Sequence, residues 1–181
     1  HIAIFGRCNA GKSTLVNRLT GQDVAIVSPV AGTTTDPVQK AIEINGLGAA
    51  ILIDTPGLDD NTQLGAERVA RSAKVLDKTD IAIVLFTEAG GENELRIMEE
   101  CRVREIPTVV ALAHIDTLEN HEAVKADLER ITKKSVVAIS ALTGEGIEDL
   151  TKAIVAIRPA EERLITEGFC KAGDKVLLVM P

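Results

Sequence analysis

Residues 6–13 read Gly-Arg-Cys-Asn-Ala-Gly-Lys-Ser: two glycines with four residues between them, then a lysine and a hydroxyl. Each residue type suits the binding of a phosphate chain. Glycine lets the backbone close round an anion, and successive N–H groups from Asn9, Ala10, Gly11, Lys12, Ser13 and Thr14 can converge on it. A helix that starts at this point adds partial positive charge. Lys12 would then reach the β- and γ-phosphates, and the Ser13 hydroxyl would take Mg²⁺. The pattern carries weight only between a strand and a helix. Here the apolar run "HIAIF" precedes it and the amphipathic "STLVNRLTG" follows.

A triphosphate site also needs a second carboxylate for the metal and a group that senses the last phosphate. "ILIDTPG" (51–57) offers both where an apolar run ends. Asp54 would hold Mg²⁺ through water, and the Gly57 N–H would meet the γ-phosphate. Between the two motifs, "AGTTTDP" (31–37) is a loop able to fold a hydroxyl onto metal and γ-phosphate and to release it after hydrolysis. Thr34 is the expected ligand, with Thr33 and Thr35 as its rivals. The expected catalytic set is Lys12, Thr34 and, for a reason given below, Asn9.

These residues need a rigid frame, and the chain supplies one. Apolar runs at 2–5, 50–53, 81–86, 108–113 and 135–140 lack alternation, as strands of a parallel sheet covered on both faces do. Amphipathic stretches near 12–20, 64–77, 92–104, 119–132 and 146–157 lie between them. This alternation predicts a doubly wound α/β sheet. "VQKAIEI" (38–44) alternates instead, and the link "NGLG" joins it to the next run, so one antiparallel edge strand is expected. Thr143 in "TGEG" is the expected N-cap of the last helix.

Length and composition narrow the function. The 181 residues suit one domain with a full core. A net charge of −7, with three Phe and neither Trp nor Tyr, disfavours nucleic acid and anionic membrane as partners. Cys8, Cys101 and Cys170 have no zinc or disulfide spacing, and a reducing, cytoplasmic setting is expected. No apolar run approaches the roughly 20 residues of a membrane helix. Past Arg158-Pro159 a polar stretch leads to the lone run "KVLLVM". The expected division is therefore 1–158 as one domain and 159–181 as a linker with the first strand of a following domain, in a chain cut from something longer.

Phosphate loop, threonine loop and Asp-x-x-Gly, in this order, resemble the translation-factor-related GTPases, close to the tRNA-modifying TrmE and the Era group. Those proteins typically carry GxPNxGKS and GTTRD where this chain has "GRCNAGKS" and "GTTTD". Within the group, "LTGQDVAIVSPVAGTTTDPV" (19–38) most resembles the GTPase domain of the HydF family of iron-iron hydrogenase maturation proteins. The resemblance implies a Ras-like P-loop NTPase fold: a mostly parallel six-stranded sheet with one antiparallel edge strand and helices on both faces. It also implies GTP and GDP as ligands, Mg²⁺ as cofactor and a dimerisation domain after residue 158. A homodimer of the full-length protein and hydrogenase maturation partners follow from it. GTPases of tRNA modification or ribosome assembly are the alternative, and a GTP-gated interaction module with negligible turnover is a third.

The same resemblance assigns the base-reading residues. The family's N/T-K-x-D motif appears here as Ala113-His114-Ile115-Asp116. Asp116 can still accept from the guanine N1–H and 2-amino group. Ala113 cannot supply the amide that ties this loop to the base and the phosphate loop, and His114 lacks the lysine stem. One lost neutral hydrogen bond costs about 0.5–1.5 kcal/mol, so weakened guanine binding is expected. Ser140, Ala141 and Leu142 fill the turn whose N–H groups meet the guanine O6 in relatives. Leu58 stands where Ras-like enzymes carry a water-orienting Gln, and none of Asp59, Asp60 and Glu67 aligns with the relatives' catalytic acid. Asn9 matches the asparagine with which TrmE-like relatives hold K⁺ in place of an arginine finger, so K⁺ stimulation is expected.

Overall fold

A strand whose every side chain is apolar has no face to give to water, and the strands at the centre of this protein's sheet are of that kind. The computed structural model describes residues 1–21, 38–55, 57 and 74–159. The threonine loop with Thr33, Thr34 and Thr35, then Leu58, Asp59, Asp60 and Glu67, and the stretch beyond Pro159 that holds Cys170 lie outside the described residues.

The six strands are β1 (Ile2–Gly6), β2 (Val38–Ile44), β3 (Gly48–Asp54), β4 (Ile81–Phe86), β5 (Thr108–Leu112) and β6 (Val136–Ala138). They line up in the order β2-β3-β1-β4-β5-β6. β2 runs antiparallel to β3, paired from Val38 opposite Asp54 to Ile44 opposite Gly48, and all other neighbours are parallel. The fold is therefore the expected one, hairpin edge included. β6 is shorter than the 135–140 run, because the chain after Ala138 turns: the Ile139 N–H still reaches the Leu112 carbonyl, but that of Ser140 donates to Glu145.

Among the described residues four helices cover the faces: α1 (Lys12–Thr20), α2 (Glu92–Val103), α3 (His121–Thr132) and α4 (Ile147–Ala156). Successive side chains of a strand point to opposite faces, which divides the core in two. Ile2 and Ile4 of β1 pack with Leu15, Val16 and Leu19 of α1 and with Ile147, Leu150 and Ile154 of α4. Ala3 and Phe5 pack on the other face with Val75, Leu76, Ile97, Cys101 and Leu128. Leu15 and Phe5 are both fully buried, and truncation of such side chains to Ala costs about 2–5 kcal/mol. α4 is capped by Gly146 in the left-handed region (φ 73°), not by Thr143. The Thr143 hydroxyl instead accepts the Glu145 N–H at 3.3 Å.

Candidate functional site

Strand order reverses around β1, whose neighbours β3 and β4 lie on opposite sides of it. Open α/β sheets bind ligands beyond the carboxyl ends of the strands at such a point. Gly6 ends β1 and Asp54 ends β3 there, and Ala113 and Ile139 follow β5 and β6 at the same edge. The sheet thus gathers motifs that the sequence spreads over more than a hundred residues.

The phosphate end is made by backbone. Asn9 (φ 61°) and Gly11 (φ 83°) adopt left-handed conformations on either side of Ala10, which turns the loop into the start of α1. Gly11 is the helix N-cap, no side chain caps the helix, and no acidic residue occupies its first turn, which leaves the positive end open to an anion. Lys12 is only 7% exposed, and its Nζ donates to the carbonyls of Gly6 (3.0 Å) and Arg7 (2.8 Å). The ammonium is therefore held across the loop mouth. Gly57 lies directly against this loop: a Cβ there would collide with Cys8 Sγ and sit 2.8 Å from the Cys8 backbone N and Cα. Only glycine allows the Asp-x-x-Gly loop to approach so closely.

Ser13 and Asp54 come together as the spacing predicts. The Ser13 hydroxyl donates to Asp54 Oδ2 at 2.6 Å, while Asp54 Oδ1 is buried with no hydrogen-bond partner among the described residues. A buried carboxylate oxygen without a donor is costly, and a hydroxyl beside it completes an all-oxygen set of the kind Mg²⁺ takes. These residues fit the cofactor that the fold family uses.

Asp116 and the 140–142 turn stand at the other end of the same sheet edge. Asp116 is exposed, and its carboxyl is held below the usual carboxylate range, first by the Ser140 hydroxyl. Desolvation opposes this as the second-largest effect, and the backbone N–H of Asp116 and the nearby His114 add smaller lowering contributions. An ionised carboxylate can accept two hydrogen bonds from a ligand's N–H groups. Ser140 itself is fully buried, and its Oγ accepts the Thr143 N–H at 3.1 Å. A cavity of about 250 Å³ joins the two ends. Ala10, Gly11 and Thr14 line it from the phosphate loop; Ala113, His114, Asp116, Ala141 and Leu142 line the base side.

Three anchoring contacts were not legible in the motifs. His114, left-handed at φ 60°, places its Nε2 2.9 Å from the Asn9 carbonyl. Its ring also stands 3.5 Å from where a Gly11 Cβ would be. The expected loss of the tie at Ala113 is thereby offset: the imidazole, donating from Nε2, joins base loop to phosphate loop. Arg18 of α1 donates to the carbonyls of Ala141 and Leu142. Finally, Glu94 of α2, 1% exposed, accepts the Arg7 N–H at 3.0 Å, and Arg7 also pairs with Glu88 at 2.5 Å. The sequence signal for Glu94 was slight, one of two acidic residues in the first turn of an amphipathic helix.

Comparison with known proteins agrees with this geometry. Residues 1–140 match the family described as 50S ribosome-binding GTPase. A tRNA modification GTPase, MnmE, from Thermotoga petrophila is 36% identical over 159 residues, which is 84% of this chain and 34% of that protein. GTPase Der from Moorella thermoacetica is 33% identical over 196 residues, 99% of this chain and 44% of that one. The chain thus spans less than half the length of these relatives. Among solved structures, Aquifex aeolicus Era bound to GDP and AlF4⁻ superposes with a TM-score of 0.69 at 31% identity, covering 89% of this chain and 57% of that one. The cytosolic domain of the Thermotoga maritima FeoB iron transporter in its GMPPNP form superposes at 0.64 with 27% identity, covering 86% and 62%. No helix among the described residues is long and apolar enough to cross a membrane. Phosphate loop, Asp-x-x-Gly loop, sheet order and family match agree, and the chain belongs to the 50S ribosome-binding GTPase family as a TrmE/Era-like P-loop domain that binds and hydrolyses GTP.

Proposed function

We propose that the domain is a Mg²⁺-dependent nucleotide switch whose GTP hydrolysis is stimulated by K⁺ held at Asn9. Hydrolysis is an in-line attack of water on the γ-phosphate, which calls for positioning and positive charge more than covalent chemistry. Lys12 supplies one charge, and Ser13 and Asp54 would hold Mg²⁺, which neutralises the phosphate oxygens when bound. Thr34 would complete that set, Gly57 would sense the γ-phosphate, and Asp116 with the 140–142 turn would read guanine. A monovalent cation near the β/γ bridge adds charge where it develops.

The observation that carries the potassium reading is the setting of Asn9. It lies exposed in the phosphate loop, with a left-handed backbone and a carbonyl engaged by His114. The amide therefore projects from a fixed backbone. Initial GTP hydrolysis rates in KCl and NaCl at matched ionic strength, with ATP as control, test it. Stimulation by K⁺ that is lost in Asn9→Ala supports the reading, and equal rates in both salts overturn it. Measurable turnover in either salt also removes the GTP-gated module without hydrolysis.

The wider role we infer is a switch in a scaffold for hydrogenase metal-cluster maturation, with the 159–181 stretch opening a dimerisation domain. Support for it is confined to the 19–38 stretch. A role in tRNA modification is favoured by the relatives of that name, 36% identical over 84% of the chain. Full-length protein purified under anaerobic conditions separates the two: an iron-sulfur cluster supports maturation, and nucleotide-dependent binding of tRNA supports the alternative.

A further inference from the structure

Arg18 stands on α1, past the phosphate loop, and no nucleotide-binding motif includes it. Its Nε donates to the Ala141 carbonyl at 2.9 Å and its Nη2 to the Leu142 carbonyl. The guanidinium also lies along Gly144, whose missing Cβ would be 3.6 Å from Nη1. The carbonyl of Ser140 is engaged too, by the Gly144 N–H at 2.8 Å.

These contacts fix the opposite edges of the same peptide units. A trans peptide is planar, so a carbonyl and the N–H that follows it point in opposite directions, and no cis peptide occurs among the described residues. With the Ser140 carbonyl held by Gly144, the Ala141 N–H points away from the closed turn. With the Ala141 carbonyl held by Arg18, the Leu142 N–H points away from α1. The third unit behaves consistently: the Leu142 carbonyl goes to Arg18, and the Thr143 N–H donates to Ser140 Oγ. The N–H groups of Ala141 and Leu142 take no part in the turn's own hydrogen bonds, and both residues line the cavity with Asp116.

We propose that Arg18 is a positioning residue for base selection: by gripping the carbonyls of Ala141 and Leu142 it presents their turn's N–H groups to the 6-oxo group of a bound purine. An adenine 6-amino group would bring a donor against these donors. The arginine thus sharpens the choice that Asp116 makes at the other edge of the ring. Without it the two carbonyls are left to water, and the peptide units are free to rotate. This inference rests on the guanine reading given above.

The test compares GDP, IDP and 2-aminopurine riboside 5′-diphosphate by calorimetry with Mg²⁺, in the wild type, Arg18→Ala and Arg18→Lys. IDP keeps the 6-oxo group without the 2-amino group, and the 2-aminopurine nucleotide has the reverse. With one to two hydrogen-bond equivalents at stake, Arg18→Ala is expected to weaken GDP and IDP by about five- to twentyfold and the 2-aminopurine nucleotide by less than about twofold. Arg18→Lys should recover part of that loss, since an ammonium can still donate to one carbonyl. Equal losses for all three ligands would make Arg18 a merely structural contact, and unchanged GDP affinity would remove it altogether. If Arg18→Ala does not fold, the same three-ligand comparison on Arg18→Lys decides. A wild type that binds GDP no better than the 2-aminopurine nucleotide would overturn the guanine reading itself, a result distinct from either.

Discussion

The two ends of the nucleotide site are built on different principles. At the proposed phosphate end the groups on offer are backbone N–H groups, a helix terminus and one buried lysine, all within residues 6–14. At the proposed base end they are a carboxylate and a turn from separate connections, held by His114 and Arg18, whose partners lie more than a hundred residues away in the chain. On the proposed reading, phosphate recognition is a local property of a loop between strand and helix, whereas base recognition is a tertiary one. The phosphate end should therefore fail all at once, and the base end by degrees.

The largest effect is expected at Lys12. Hydrogen bonds to charged groups are worth about 1.5–3 kcal/mol each, and Lys12→Ala removes the charge that would meet two phosphates, so GTP affinity should fall on the order of 10²-fold or more. A guanine nucleotide and its adenine counterpart should lose the same factor, measured by competition with a fluorescent analogue. A loss confined to GTP would break the separation of the two ends.

Asp116→Ala should come next and show the opposite selectivity. Its carboxylate is exposed and works against water, so about 10- to 100-fold is expected in GDP affinity, with ATP binding unchanged. Retention of the wild-type GDP-to-ATP ratio would remove Asp116 from the base site.

The same contrast explains what the sequence disclosed. Gly6 to Ser13 and Asp54 to Gly57 could be assigned from residue types alone, because their chemistry requires those types in a contiguous order. The strands were equally clear, since Ile2, Ile4 and Leu85 must be buried whatever their partners. His114 was different. In the sequence it registered only as a lost lysine, and its service to the phosphate loop depends on β5 ending opposite Asn9. Arg18 was hidden more fully, as one polar position on the outer side of an amphipathic helix. Thr143 misled for the converse reason: a good capping type lay close to the helix, but a left-handed glycine already ended the turn at Gly146.

His114→Ala should have a smaller effect that sharpens this view. One neutral hydrogen bond, from Nε2 to the Asn9 carbonyl, is worth about 0.5–1.5 kcal/mol, hence a few-fold to tenfold in GDP affinity. Ala113→Asn in the same background should restore part of it, because an amide returns at the position from which the loop is otherwise tied. Dissociation rates of a fluorescent GDP analogue measure both. Rescue by Ala113→Asn in the wild type but not in His114→Ala would mean that the two residues do not share one task.

The mildest test is acid. On the proposed guanine reading Asp116 must be ionised to accept from the base, and its carboxyl is held below the usual range, chiefly by the Ser140 hydroxyl. A depressed folded value favours the charged form, so GDP binding should hold from neutral pH down through the ordinary carboxylate range and decline only below it. Any stability linked to Asp116 is lost in the same direction, as pH falls through the folded value. Ser140→Ala removes the leading cause of the depression while leaving the backbone N–H groups of the turn in place. The acid limb of the GDP-binding profile should then move to higher pH, with affinity at neutral pH changed by less than about tenfold for one hydrogen bond. An acid limb that stays where it was would show that Ser140 serves only to fold the turn through its bond to Thr143, and that the carboxylate end of base recognition, unlike the turn end, stands without help from its neighbours.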